Sequence, residues 1–238
     1  MARRSIPALD AEFDNVMSFL RKRRIIPDCT PTTIIESAKR IHRVTHSLIL
    51  WRFRLKGLPD HSRVFIEEIA SDALQILPQA LMGYGKTAKL LTRGIVENTL
   101  RHLYFSDHPV EFARMNSGTK WYLSIEDLFE YPKMIPEFVR FEIQFDALNR
   151  LSSLYSDLSA GVHGRTVKDL EMRIALNKIK CDGDSVVKQA ALTERCGEAA
   201  NGLLSLFHRE KLRSFQPEDR QIILRTMPPR ARKAIAEA

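Results

Sequence analysis

Three side chains at regular spacing could together handle a phosphate. Arg93, Glu97 and Arg101 recur at successive i, i+4 steps, so on a helix spanning about 86–106 they share one narrow face. Tyr104 joins that face, and His108 does if the helix runs that far. Leu91, Ile95, Val96, Leu100, Leu103 and Phe105 cover most of the remaining circumference, the pattern of a largely buried helix. Two chemistries fit. One is a structural Arg–Glu–Arg ladder, since buried charge must be paired. The other is a polar cleft in which guanidinium groups meet a phosphate. His163 follows the strongest predicted helix, in Leu158-Ser-Ala-Gly-Val-His-Gly-Arg165. It reads either as a cap, favoured as imidazolium by the helix dipole, or as a titrating group at a cleft beside Arg165.

The run Glu97-Asn-Thr-Leu-Arg-His-Leu-Tyr-Phe-Ser-Asp-His-Pro109, with Tyr155-Ser-Asp-Leu-Ser-Ala-Gly-Val-His-Gly164 one long helix later, resembles HEPN-like helical proteins. In particular it is similar to an uncharacterised branch found near bacterial phage-defence and abortive-infection genes. The resemblance covers about 62–165. It implies a four- or five-helix core, a homodimer, and metal-independent RNA cleavage as in many toxins of that class. Active members carry Arg, a polar residue, then His after four to six intervening residues. With 24 Arg and 7 His, about two such spacings arise by chance. The chain has three, Arg40/His46, Arg54/His61 and Arg101/His108, and only the last has a polar second residue, His102. His108 sits at a predicted helix end, whereas the family's motif lies on or at the start of a later helix, nearer to His163.

The implied mechanism uses one His as general base on the ribose 2′-OH and another to protonate the leaving 5′-oxygen, while Arg neutralises the phosphorane. His108 or His163 is the candidate for proton transfer and Arg101 for charge stabilisation, with Glu97 orienting Arg101. Arg93, His102 and Arg165 complete the expected nucleic-acid contacts. No metal or cofactor is expected. The rival reading is a non-catalytic helical subunit that binds nucleic acid or a protein partner within a larger defence complex.

Charge agrees with either reading. The 238 residues carry a formal +8 and a pI near 9.5, with 24 Arg against 13 Lys, and guanidinium groups suit phosphate. Ala80-Leu-Met-Gly-Tyr-Gly-Lys-Thr87 meets a relaxed phosphate-loop pattern, but a helix rather than a strand is predicted before it, so a turn between helices explains its glycines. Cys29, Cys181 and Cys196 have no metal-ligand spacing and read as free thiols in a reducing cytoplasm. No apolar run is long enough for a membrane span, and the first residues lack the apolar stretch of a signal peptide. A cytoplasmic protein without membrane contact is expected.

The elements that must position these residues are helical nearly throughout. Periodicity predicts helices over 7–24, 31–56 (Thr30 as cap), 62–82 (opened by Ser62 and kinked at Pro78) and 86–106. An irregular stretch follows, 107–136, with room for short helices. A single helix over 137–160 carries Phe138, Phe141, Phe145, Leu148, Leu151, Tyr155 and Leu158 as one core-facing stripe. A weak helix over 168–179, a long one over 185–212, a short one from Pro217 and a basic surface helix after Pro228-Pro229 complete an all-α fold of about eight helices. The core is expected to be the second to fifth helices plus 185–212. The expected division is a basic N-terminal helix and linker, 1–30, a HEPN-like bundle, 31–213, and a basic C-terminal tail, 214–238.

Overall fold

The computed structural model describes residues 6–26, 30–118, 122–163, 175 and 179–237. Among these, twelve α-helices and one 3-10 turn are present, and no strand. They are α1 (Pro7–Lys22), α2 (Thr32–Arg54), α3 (Asp60–Leu81), α4 (Gly85–Asp107), α5 (Pro109–Asn116), α6 (Ile125–Glu130), the 3-10 turn Tyr131–Met134, α7 (Pro136–Phe145), α8 (Ala147–His163), α9 (Gly183–Phe207), α10 (Arg209–Arg213), α11 (Pro217–Thr226) and α12 (Pro229–Glu237). Proline lies in the first turn of α1, α5, α7 and α11, where its missing N–H has no intrahelical partner to lose.

The five long helices expected to build the core do pack on one another. α4 lies against α3, α8 and α9, and α9 also covers α2 and α8. Gly197 of α9 faces the Val44 side chain, leaving no room for a Cβ, so α2 and α9 approach closely. A buried polar contact fixes their register: the Trp51 indole N–H donates to Asn201 Oδ1 at 2.8 Å, and Asn201 Nδ2 donates to Ser47 Oγ and Thr226 Oγ1.

The count of helices departs from about eight for local reasons. The single helix expected over 137–160 is two. Asp146 is left-handed (φ 59°, ψ 40°) and ends α7, a conformation that Asp tolerates better than most residues. The Glu142 carboxylate then accepts from the free N–H groups of Leu148 (2.9 Å) and Asn149 (3.2 Å), capping α8 from the preceding helix. The apolar stripe survives the break: Phe138, Phe141, Phe145, Leu148, Leu151 and Leu158 are all buried and Tyr155 is half-buried. The long helix expected over 185–212 likewise breaks at His208. Ser62 does not cap α3, which opens after Pro59; its hydroxyl donates to the Pro59 carbonyl. Pro31, not Thr30, precedes α2.

The terminal helices are amphipathic parts of the core. α1 buries Leu9, Phe13, Met17 and Leu20. α12, expected on the surface, buries Ala231, Ala234 and Ile235 against α7 and α9. The helix expected over 168–179 lies mostly outside the described residues.

The phosphate-loop-like string is a turn between α3 and α4. Gly83 has φ +86°, and a Cβ there would meet the Lys180 backbone, with the carbonyl carbon at 2.6 Å and the nitrogen at 2.8 Å. Gly83→Ala should therefore cost about 1–3 kcal/mol, from the left-handed backbone and from pushing Lys180 away. Urea denaturation checks this, and an unchanged midpoint would show that the turn gives way freely.

Candidate functional site

The polar face of α4 divides into a paired half and an open half. Arg93 and Glu97 form an ion pair of 2.8 Å, each about 20% exposed. Tyr155 and Ser159 of α8 close it: Arg93 donates to the Tyr155 hydroxyl at 2.5 Å and to Ser159 Oγ at 3.1 Å, while the Tyr155 O–H donates to Glu97 Oε1 at 3.0 Å. The Arg93 guanidinium also lies over the Tyr155 ring, 4.8 Å from its centroid. This half is a tie between α4 and α8, the structural alternative for the face.

Arg101 belongs to the open half. Its side chain is 41% exposed, 3.8 Å from Glu97 Oε2, with a long contact of 3.4 Å to Asn98 Oδ1. Glu97 therefore serves Arg93 first and orients Arg101 only loosely. Asp72 of α3 lies against Gly94 of α4. Burial, then the charges of Glu68 and Glu97, push its carboxyl up to about 7.

His108 joins α4 to α5. Its ring stacks on Tyr104 (4.1 Å, 7°), and Tyr131 stands edge-on to both rings. His108 Nδ1–H donates to the Tyr104 carbonyl at 2.7 Å, so in the neutral ring Nε2 is the acceptor. The Tyr131 hydroxyl donates to Asp107. Tyr104, His108 and Tyr131 form a partly exposed aromatic ledge that begins about one turn beyond Arg101.

His163 lies elsewhere. α8 runs antiparallel to α4: Ser159 and Tyr155 meet Arg93 and Glu97, and a Cβ on Gly161 would sit 3.4 Å from Lys89 Cδ. His163 is thus at the start of α4 and His108 at its end, about 28 Å apart along the axis by helix rise. The structure does not bring the two histidines into one cleft. Arg165 lies outside the described residues.

His102, expected to contact nucleic acid, is wholly buried. Its Nδ1 is 2.9 Å from the Ser62 carbonyl and its Nε2 is 2.7 Å from His208 Nε2. It faces inward because it is one residue off the polar face, about 100° around the helix. The other two Arg/His spacings are engaged separately: Arg40 pairs with Glu194 at 2.6 Å and Arg54 with Asp219.

One cluster has no counterpart in the sequence reading. Glu12 of α1 contacts His42 and His46 of α2. Burial by itself would raise the Glu12 carboxyl, and the two adjoining imidazoles overrule it, holding it at about 2. The available signal was the i, i+4 spacing of His42 and His46 on a strongly periodic helix.

No protein-family model, curated protein or solved structure matches the chain.

Proposed function

We propose that this chain is a HEPN-like helical protein that binds RNA through the open half of the α4 face, as a binding subunit rather than a self-sufficient nuclease. Arg101 supplies the phosphate contact, and the ledge of Tyr104, His108 and Tyr131 supplies stacking for an unpaired base. The observation that carries the reading is the half-exposed Arg101 guanidinium, loosely held beside that ledge, on a protein of charge +8. Single-stranded RNA is recognised by this pairing of cation and aromatic face. The binding reading is favoured over cleavage because the proposed proton donor and acceptor, His108 and His163, stand at opposite ends of α4.

Fluorescence anisotropy with a short single-stranded RNA in EDTA tests it. Arg101→Ala should weaken binding at least roughly tenfold, about 1.4 kcal/mol, and shift stability by less than about 1 kcal/mol. Arg93→Ala should instead destabilise the fold by about 2–3 kcal/mol, because Glu97 and Tyr155 lose their partner. An Arg101→Ala protein that binds RNA like its parent overturns the proposal. RNA products with 2′,3′-cyclic phosphate ends, lost in His108→Ala, would make the same surface a nuclease site.

A further inference from the structure

His42 and His46 are one turn apart on α2, so both imidazoles project from the same side of the helix. Their centroids are 5.6 Å apart. Glu12 reaches them from α1, with its Oε2 3.2 Å from His46 Nδ1 and in direct contact with His42 Nε2. One donor atom from each of the three side chains lies within 4.8 Å of the other two. Donor atoms around a tetrahedral ion with bonds of about 2.0–2.2 Å stand roughly 3.3–3.6 Å apart. Small side-chain rotations therefore bring all three onto one point.

The cluster is also sheltered. His42 is only 5% exposed, and its Nε2 faces Glu12 Oε2, which in turn faces His46 Nδ1. A cation shared by two ring nitrogens and one carboxylate oxygen would use all three donor atoms.

We infer that Glu12, His42 and His46 bind a divalent transition metal of the zinc type and leave one coordination position open. The donor set is two nitrogens and one oxygen, which suits Zn²⁺ or Co²⁺; Mg²⁺ and Ca²⁺ take oxygen ligands. Three protein ligands are one short of a closed structural site, so the fourth position takes water or an added ligand. The same three residues line a cavity of about 460 Å³ whose other walls include Val16, Phe19, Ile49 and Leu77. The open position is therefore reached through apolar surroundings, and it suits a small molecule with one donor atom and an apolar body.

The test uses the full chain without a polyhistidine tag, stripped with chelator. Titration should show a single Zn²⁺ bound per chain, and Co²⁺ should give the visible bands of a four-coordinate site. Azide should shift those bands by entering the open position. Glu12→Gln and His46→Gln should each weaken Zn²⁺ binding at least roughly 100-fold; both side chains are partly exposed, so folding is retained and is checked by thermal melting. Absence of stoichiometric Zn²⁺ binding, or binding unchanged in both variants, overturns the site and leaves the trio as an ion pair joining α1 to α2. Co²⁺ bands that ignore azide overturn the open position.

Discussion

Replacing Phe145 by Ala is expected to lower stability by about 3–5 kcal/mol, the range for removing a buried Phe ring. The ring is 4% exposed at the end of α7. It packs edge-on to Phe141 at 5.1 Å, and Arg150 lies over it at 5.5 Å. Opposite it is Gly202 of α9, where a Cβ would lie 2.9 Å from the Phe145 ring. α7 and α9 thus meet through an aromatic ring seated on a glycine, so removing the ring opens a cavity between them. Urea denaturation of the parent and of Phe145→Ala measures the difference. A loss under about 1 kcal/mol would mean that the α7–α9 packing does not depend on this ring.

Acid is expected to destabilise the fold through the buried pair His102 and His208. The His102 Nδ1–H faces the Ser62 carbonyl and donates to it, so His102 Nε2 carries the lone pair. It accepts from His208 Nε2–H. A proton added to His102 Nε2 would set two N–H groups against each other. Burial first, with the Lys211 charge adding to it, holds His102 down to about 4 against the opposing pull of Ser62 and Asp107. Burial, then His102 and Lys211, holds His208 at about 2.

Unfolded imidazoles take up protons near pH 6.5 and the folded pair does not. The contribution is complete above pH 6.5 and is lost as the pH falls below it. Between pH 7 and 4.5 His102 alone should account for roughly 2 kcal/mol. Urea midpoints of the parent and of the doubly substituted protein, His102→Leu with His208→Leu, are compared at both pH values. The variant should show a flatter dependence; equal losses would mean that the pair titrates as it does in water.

The helical class, the five helical stretches of the core and the buried aromatic stripe of α7 and α8 are legible in the sequence. These are readable because a 3.6-residue period is a local property, visible wherever one face of a helix meets the core. It also placed Arg93, Glu97 and Arg101 on one face of α4. The break at Asp146 was not legible, because it depends on Glu142 reaching past the helix end to cap the next one.

Which of those charges are paired depends on contacts distant in the chain. Arg93 is engaged because Tyr155 and Ser159, 62 and 66 residues further on, come to lie across it, while Arg101, two turns on, has no such neighbour on α8 in hydrogen-bond range and is half exposed. The same holds for His102, whose partner His208 is 106 residues away. It holds too for Glu12, which meets His42 and His46 only because α1 folds back onto α2. Spacing along a chain tells which side chains share a face, but pairing and burial depend on what the rest of the chain brings to that face.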